Sequence, residues 1–191
     1  MWPVTLHGDL IELRPPRFRD RAQWNRVRSE NKEYLAPWEA SLPMTPVGAP
    51  ASDFISKRPS FYAMVRALQR EARAGRSYSF MVWSGNNLVG QITMGGVIYG
   101  ALRGAHIGYW IDRNYAGRGF TTDAVSTLTK YAFDALGLHR IEINIRPENA
   151  ASIRVAMKSG YHIEGNRAEF LHISGAWRDH ICFVKINDLI K

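Results

Sequence analysis

The segment with the most chemical content is Gly108-Tyr109-Trp110-Ile111-Asp112-Arg113-Asn114-Tyr115-Ala116-Gly117-Arg118-Gly119-Phe120-Thr121-Thr122. A strand-like run passes into a glycine-bearing loop and then into a long helical pattern. The first N–H groups of a helix have no partner within it, and the helix dipole adds partial positive charge there. Such a helix start is a site for anions, phosphates above all. Gly117 and Gly119 allow the backbone to approach a phosphate closely, and Arg118 adds a cation between them. The loop is neither a P-loop nor a dinucleotide fingerprint, because it contains no Gly-Lys-Ser/Thr and no Gly-x-Gly-x-x-Gly. Further along, Asn149-Ala150-Ala151-Ser152 opens a second helix, with Asn149 suited to its N-cap and Ser152 bringing a hydroxyl to its first turn.

These residues need elements to hold them. Asp9–Leu13 reads as a first strand closed by Pro15-Pro16, and Asp20 to about Asn31 as a helix. Pro59–Arg73 reads as a second helix, with Phe61, Met64, Val65 and Leu68 on its apolar face. Ser79–Trp83 and Leu88–Ile92 read as strands joined by the turn Ser84-Gly85-Asn86-Asn87. Ala105–Ile111 is the strand that feeds the glycine loop. Gly119–Leu136 is the clearest helix: Phe120, Ala124, Val125, Leu128, Ala132 and Leu136 recur at helical spacing, and Gly137 ends it. Arg140–Ile145 alternates like a half-buried strand. Asn149 caps a helix stopped by Gly160, and Phe170–Ile173 and Trp177–Ile186 are strands around a Ser174-Gly175 turn. Ala40–Pro59 is expected to be a long loop within a single domain spanning residues 1–191. The order predicts a mixed α/β sheet with helices on its faces.

The glycine loop resembles the acyl-CoA pyrophosphate loop of the GNAT acetyltransferases, Gln/Arg-x-x-Gly-x-Gly/Ala, with Asn114 in place of the first Gln or Arg. The stretch from Arg146 to Ser152, on a helix ending in Lys158-Ser159-Gly160-Tyr161, resembles the same family's Asn-x-x-Ser/Ala helix. Glu30–Glu39 and Gly175–His180 are similar to the bacterial ribosomal-protein alanine N-acetyltransferases of RimJ/RimL type. The resemblance implies a GNAT fold: a mixed, mostly antiparallel sheet of six to seven strands with one splayed parallel pair, flanked by about four helices. It implies acetyl-CoA as co-substrate, contacted by Ile111 and Asn114, by Ala116, Gly117 and Arg118, by Gly119, Phe120 and Thr121, and by Asn149 and Ser152. It implies a protein α-amino group as acceptor, with the N-terminal alanine of a ribosomal protein as the named case. It also carries Glu169 over as general base and Ser152 as general acid. The tyrosine that many of these enzymes place one turn beyond the serine is Ala156 here. Trp38, Glu39, Tyr109 and Trp177 are expected at the acceptor. Glu142 and His106 are the lesser candidates for the base.

The demands on such a catalyst are modest. An α-amino group titrates near 7.7–8.0, so much of it is close to neutral at working pH. Orientation can then supply a large part of the rate.

Composition sets the remaining bounds. The chain has 191 residues, 46% of them hydrophobic, which is enough for a sizeable core without disulfide or metal staples. The single cysteine, Cys182, lies in an apolar run and reads as a core residue. A cytoplasmic protein is expected, with no leader peptide, no membrane span and no metal, as a monomer or homodimer. The net charge of +8 favours polyanionic partners and admits ribosome association. Two other readings remain open: a GNAT enzyme for a small amine such as an antibiotic or polyamine, and a non-catalytic ribosome- or RNA-binding protein. No zinc-finger spacing or RNP aromatic pattern is present.

Overall fold

The computed structural model describes residues 2–43 and 59–190. Among these, eight strands form one sheet in the order β1-β2-β3-β4-β5-β6-β8-β7. The strands are β1 (Leu6–His7), β2 (Glu12–Arg14), β3 (Tyr78–Ser84), β4 (Asn87–Ile98), β5 (Gly104–Ile111), β6 (Arg140–Ile145), β7 (His162–Ile173) and β8 (Ala176–Ile186). The helices are α1 (Arg21–Glu30), α2 (Lys32–Leu35), α3 (Phe61–Arg73), α4 (Phe120–Asp134) and α5 (Ala150–Lys158).

Burial explains the layers. Successive side chains of a strand point to opposite faces. In β3, Phe80 and Val82 join one core with Val125, Leu128 and Ala132 of α4 and Ala156 of α5. Met81 and Trp83 of the same strand join the other core, with Phe61 and Val65 of α3 and Trp24 of α1. A strand covered on both faces reads as a near-continuous apolar run, and Tyr78-Ser79-Phe80-Met81-Val82-Trp83 is buried throughout, with the Ser79 hydroxyl hydrogen-bonded to Thr93 Oγ1. In β6, by contrast, only Ile141, Ile143 and Ile145 are fully buried, as the alternation predicts.

The sheet is antiparallel except between β5 and β6. That pair matches only Gly104 with Arg140, Ala105 with Ile141 and His106 with Glu142. Past His106 the two strands part, so alternate backbone groups of β5 face a gap. The splayed parallel pair expected from the family resemblance is thus present.

The elements differ from the sequence reading at their margins. Among the described residues there are eight strands and five helices, against the expected six to seven and about four. β1 and α2 are too short to carry a periodic signal. β4 continues past Ile92 to Ile98, its pairing with β5 shifting register between Gly95 and Ile98. β7 begins at His162 instead of Phe170, because a polar edge segment pairs with β8 through two register shifts. Most of the loop expected over Ala40–Pro59 lies outside the described residues.

Candidate active site

A cavity of about 1350 Å³ occupies the gap beyond the paired part of β5 and β6. α4 and α5 line it on one side of β5, and α1, α2 and the turn after α2 line it on the other.

The mouth of α4 is built by two glycines. Gly119 is the N-cap, with φ 87° and ψ −14°, and Gly117 has φ 77°. Both are left-handed conformations that glycine adopts freely. No side chain caps the first turn, which leaves its N–H groups for an external partner. Ala116, Gly117, Gly119, Phe120 and Thr121 all line the cavity, as does Ile111 at the end of β5.

A buried clamp holds this loop. Asp112 Oδ1 accepts from the Asn114 backbone N–H at 3.0 Å and from Asn31 Nδ2 at 3.0 Å. Asn31 Oδ1 accepts from the Arg113 N–H at 2.8 Å, and its Nδ2 also donates to the Val27 carbonyl. Asn31 and Asp112 are 2% and 4% exposed. The end of α1 is thereby bolted to the phosphate-type loop, a role that a lone Asn in the sequence does not announce. Replacing Asn31 by Ala orphans the Arg113 N–H and removes a donor from a buried carboxylate. We expect a stability loss of about 2–3 kcal/mol, read as a lower midpoint in a urea melt, and a weaker CoA affinity. An unchanged midpoint refutes the clamp.

Asn114 and Arg118 stand apart from the other residues of the loop. Together with Arg26 and Glu30 they border a separate, smaller depression outside the main cavity. The Arg118 guanidinium lies 5.6 Å from the centroid of the Tyr115 ring. On the α4–α5 side, the cations that line the main cavity are Arg154 and Lys158 of α5. Their spacing of four, which puts both on one helix face, was the overlooked signal.

At the start of α5, Asn149 Oδ1 accepts from the Ser152 N–H at 3.1 Å, so Asn149 caps the helix as expected. Asn149 and Ser152 both line the cavity. Tyr109 reaches from β5 to this helix, its hydroxyl 3.4 Å from the Ser152 carbonyl. Burial pushes the Tyr109 phenol up to about 12, so it remains a protonated hydrogen-bond donor at neutral pH. Ala156, one turn on, is fully buried.

The other side of the cavity is aromatic and carries an ion pair. Trp24, Tyr34, Trp38 and Trp110 line it with Arg28 and Glu39. Arg28 Nη2 donates to Glu39 Oε1, while its guanidinium lies 5.1 Å from the Trp110 ring centroid. Arg146, at the end of β6, fixes the turn that carries Trp38. Its Nη1 donates to the Pro37 carbonyl at 2.8 Å, and its Cζ sits 5.3 Å from the Trp38 ring centroid. The next residues run beside the end of β7: Ala40 bridges Ile173, and the Ser174 N–H donates to the Glu39 carbonyl at 3.0 Å. Trp38 and Glu39 therefore both stand at the cavity. Trp24, Arg28 and Trp110 were missed, because on a helix or strand they read as ordinary packing or a solvated basic face.

Glu169 and Trp177 lie apart from the residues gathered at the cavity. Glu169 is exposed, has φ 46°, and gives its N–H to Asp179 Oδ1 at 2.8 Å. It sits in the bulge where β7 and β8 shift register between Arg167 and Leu171, and it is not part of the cavity wall. Trp177 is half exposed on the β7–β8 hairpin, its ring 5.5 Å from His172, and is likewise off the wall. The lesser candidates are no better placed. Burial raises the Glu142 carboxyl, but Arg140 and Arg167 beside it win, and the net effect is downward. Its nearest nitrogens are 2.8 Å away on both arginines. Desolvation lowers His106, which packs against Gly95 and Gly96 and does not line the cavity.

A splayed parallel pair, a glycine-capped helix mouth in the gap and a serine helix opposite define the architecture of an acetyltransferase. The acetyltransferase (GNAT) domain family matches residues 11–162, and the chain belongs to that family. It is 30% identical to the probable N-acetyltransferase YjcK of Bacillus subtilis over 184 residues, covering 95% of this chain and 97% of that protein. It is 25% identical to the [ribosomal protein uS5]-alanine N-acetyltransferase of Escherichia coli over 181 residues, covering 93% and 88%. Among solved structures, Mycobacterium smegmatis RimJ in complex with CoA-disulfide superposes with a TM-score of 0.86 at 36% identity, covering 99% of this chain and 90% of that one. The protein is an acetyl-CoA-dependent N-acetyltransferase related to the ribosomal-protein acetyltransferases. Among the described residues, no helix is long and apolar enough to cross a membrane.

Proposed function

We propose that this enzyme acetylates the N-terminal α-amino group of a ribosomal protein, with alanine as the first residue. The observation that carries the reading is the two-sided cavity: an uncapped helix mouth with Arg154 and Lys158 on one side of β5, an aromatic wall with Glu39 on the other. The first side suits the diphosphate of CoA and the second suits a peptide end bearing an ammonium. Two relatives lend support through their names, one acting on the alanine of uS5 and one bound to CoA-disulfide.

Bound there, acetyl-CoA supplies an activated carbonyl and a thiolate leaving group. The residues of this chain do the rest. The N–H groups of Gly119, Phe120 and Thr121 hold the diphosphate, helped by the dipole of α4. Backbone N–H groups of β5 past His106 face the gap, where a donor to a developing oxyanion contributes roughly 2.7–4 kcal/mol in other acyl transfers. Glu39, held by Arg28, keeps acceptor capacity for an ammonium, since a carboxylate offers about four lone-pair sites. The amine nitrogen forms its bond to the acetyl carbon as the C–S bond breaks. The amine's proton leaves by Glu39 and water. The sulfur gains a proton through the Ser152 hydroxyl, with the Tyr109 phenol as a neighbouring donor. Glu169 has no part in this scheme.

The test is intact-mass analysis of ribosomal proteins from cells with and without the gene. One protein with an N-terminal alanine should become lighter by one acetyl group in the deletion strain. Unchanged masses for every ribosomal protein overturn the assignment of the acceptor and leave small amines as the substrates to screen.

A further inference from the structure

Away from the cavity, one face collects arginines around two exposed rings. The turn before α1 carries Arg17, Phe18 and Arg19, and α1 begins with Arg21, all exposed. On α3, Tyr62, Arg66, Arg70 and Arg73 are exposed as well. They form one surface. The Phe18 and Tyr62 rings meet edge to face at 5.4 Å. Arg21 stands 5.2 Å from the Tyr62 centroid and donates to its hydroxyl at 3.4 Å, and Arg66 stands 5.8 Å from the Phe18 centroid. The nearby carboxylates are already engaged. Asp20 is buried and bound by Arg14 and by the Arg17 N–H, and Glu71 pairs with Arg76 and Arg70. None of the arginines named lines the acetyl-transfer cavity.

We propose that this face binds RNA. The cations named here, all among the described residues, are arginines, whose planar fork matches a phosphate with two parallel hydrogen bonds, whereas a lysine gives a point charge. Two exposed aromatic rings among them offer stacking surfaces to unpaired bases. A purely electrostatic attraction to lipid headgroups has no use for that pairing of rings with guanidinium groups. The surface is separate from the acceptor site, so it stands whether or not the acceptor is a ribosomal protein.

The experiment uses the full chain and a fluorescein-labelled single-stranded RNA, with affinity read by anisotropy across a salt series. Binding should weaken linearly on a log–log salt plot. The variant R19E/R66E should bind roughly tenfold more weakly or worse, with a shallower slope by about 1.4. F18A should weaken binding by roughly tenfold and leave the slope unchanged, as loss of stacking requires. Acetylation of a free peptide should be unaffected in all three proteins, and circular dichroism confirms that each is folded. Wild-type binding that survives R19E/R66E overturns the proposal. So does an absence of RNA binding, whether or not the protein binds vesicles containing phosphatidylserine; vesicle binding reassigns the patch to a membrane surface.

Discussion

Gly119→Val should reduce CoA affinity by about 10²-fold or more while leaving a folded protein. The residue has φ 87°, a region where a β-branched side chain is a strong outlier. A Cβ built there already sits 3.4 Å from Leu10 Cδ1, so a valine has little room to settle. Strain of this kind costs on the order of 1–3 kcal/mol and is relieved by turning the peptide plane. Turning the plane at the N-cap re-aims the N–H groups of the first turn, which are the anion site. Hydrogen bonds to a charged group contribute about 1.5–3 kcal/mol each, so losing two is enough for the stated drop. Isothermal titration with CoA measures it, and a thermal melt shows that the fold persists. Gly117→Ala is the graded control: a Cβ there meets nothing within 4 Å, so only the φ penalty remains and the loss should be smaller. Native affinity in the valine variant removes the helix mouth from the cofactor site.

The same residues show why this part of the site was legible in the sequence. A glycine pair before a long amphipathic helix has a backbone consequence that composition alone reveals. Asn149 was legible for the same reason, being an N-cap whose partner lies three residues on. What stayed hidden depends on tertiary placement. The Asn31–Asp112 clamp joins residues 81 apart in the chain. Arg28 reads as one cation in a basic helix until β5 brings Trp110 beneath it. The elements followed the same division. α4 and β6 were readable because each buries one face with a clean period, whereas β7 was half missed because it is exposed at both odd and even positions along most of its length, so no alternation is required, and the bulges break its phase. That bulge also decides where Glu169 stands, which no motif states. Transferring a residue by motif assumes that the strand carrying it presents it inward, and the register shift between Arg167 and Leu171 leaves Glu169 exposed and off the cavity wall.

Paired substitutions of Glu39 and Glu169 separate the two candidate carboxylates. Glu39→Gln should lower kcat/KM for an N-terminal peptide by about 10²-fold, and Glu169→Gln should leave it near the wild-type value. Gln fills the same volume and keeps an oxygen for Arg28, so the wall should persist. What it loses is the negative charge. Arg28 then presents an uncompensated cation where an ammonium has to dock, and two like charges at about 4 Å repel by roughly 4 kcal/mol at an effective dielectric of 20. The pH profile distinguishes this from simple loss of packing. An α-amine titrates near 7.7–8.0, and with Glu39 gone only the neutral amine binds well, so the acidic limb of kcat/KM should move to higher pH. CoA affinity should be untouched, because the pair lies on the opposite side of β5 from the helix mouth. The opposite result, with Glu169→Gln inactive and Glu39→Gln active, would mean that peptide binding draws the β7 bulge over the cavity, and the acceptor scheme would have to be rebuilt around Glu169.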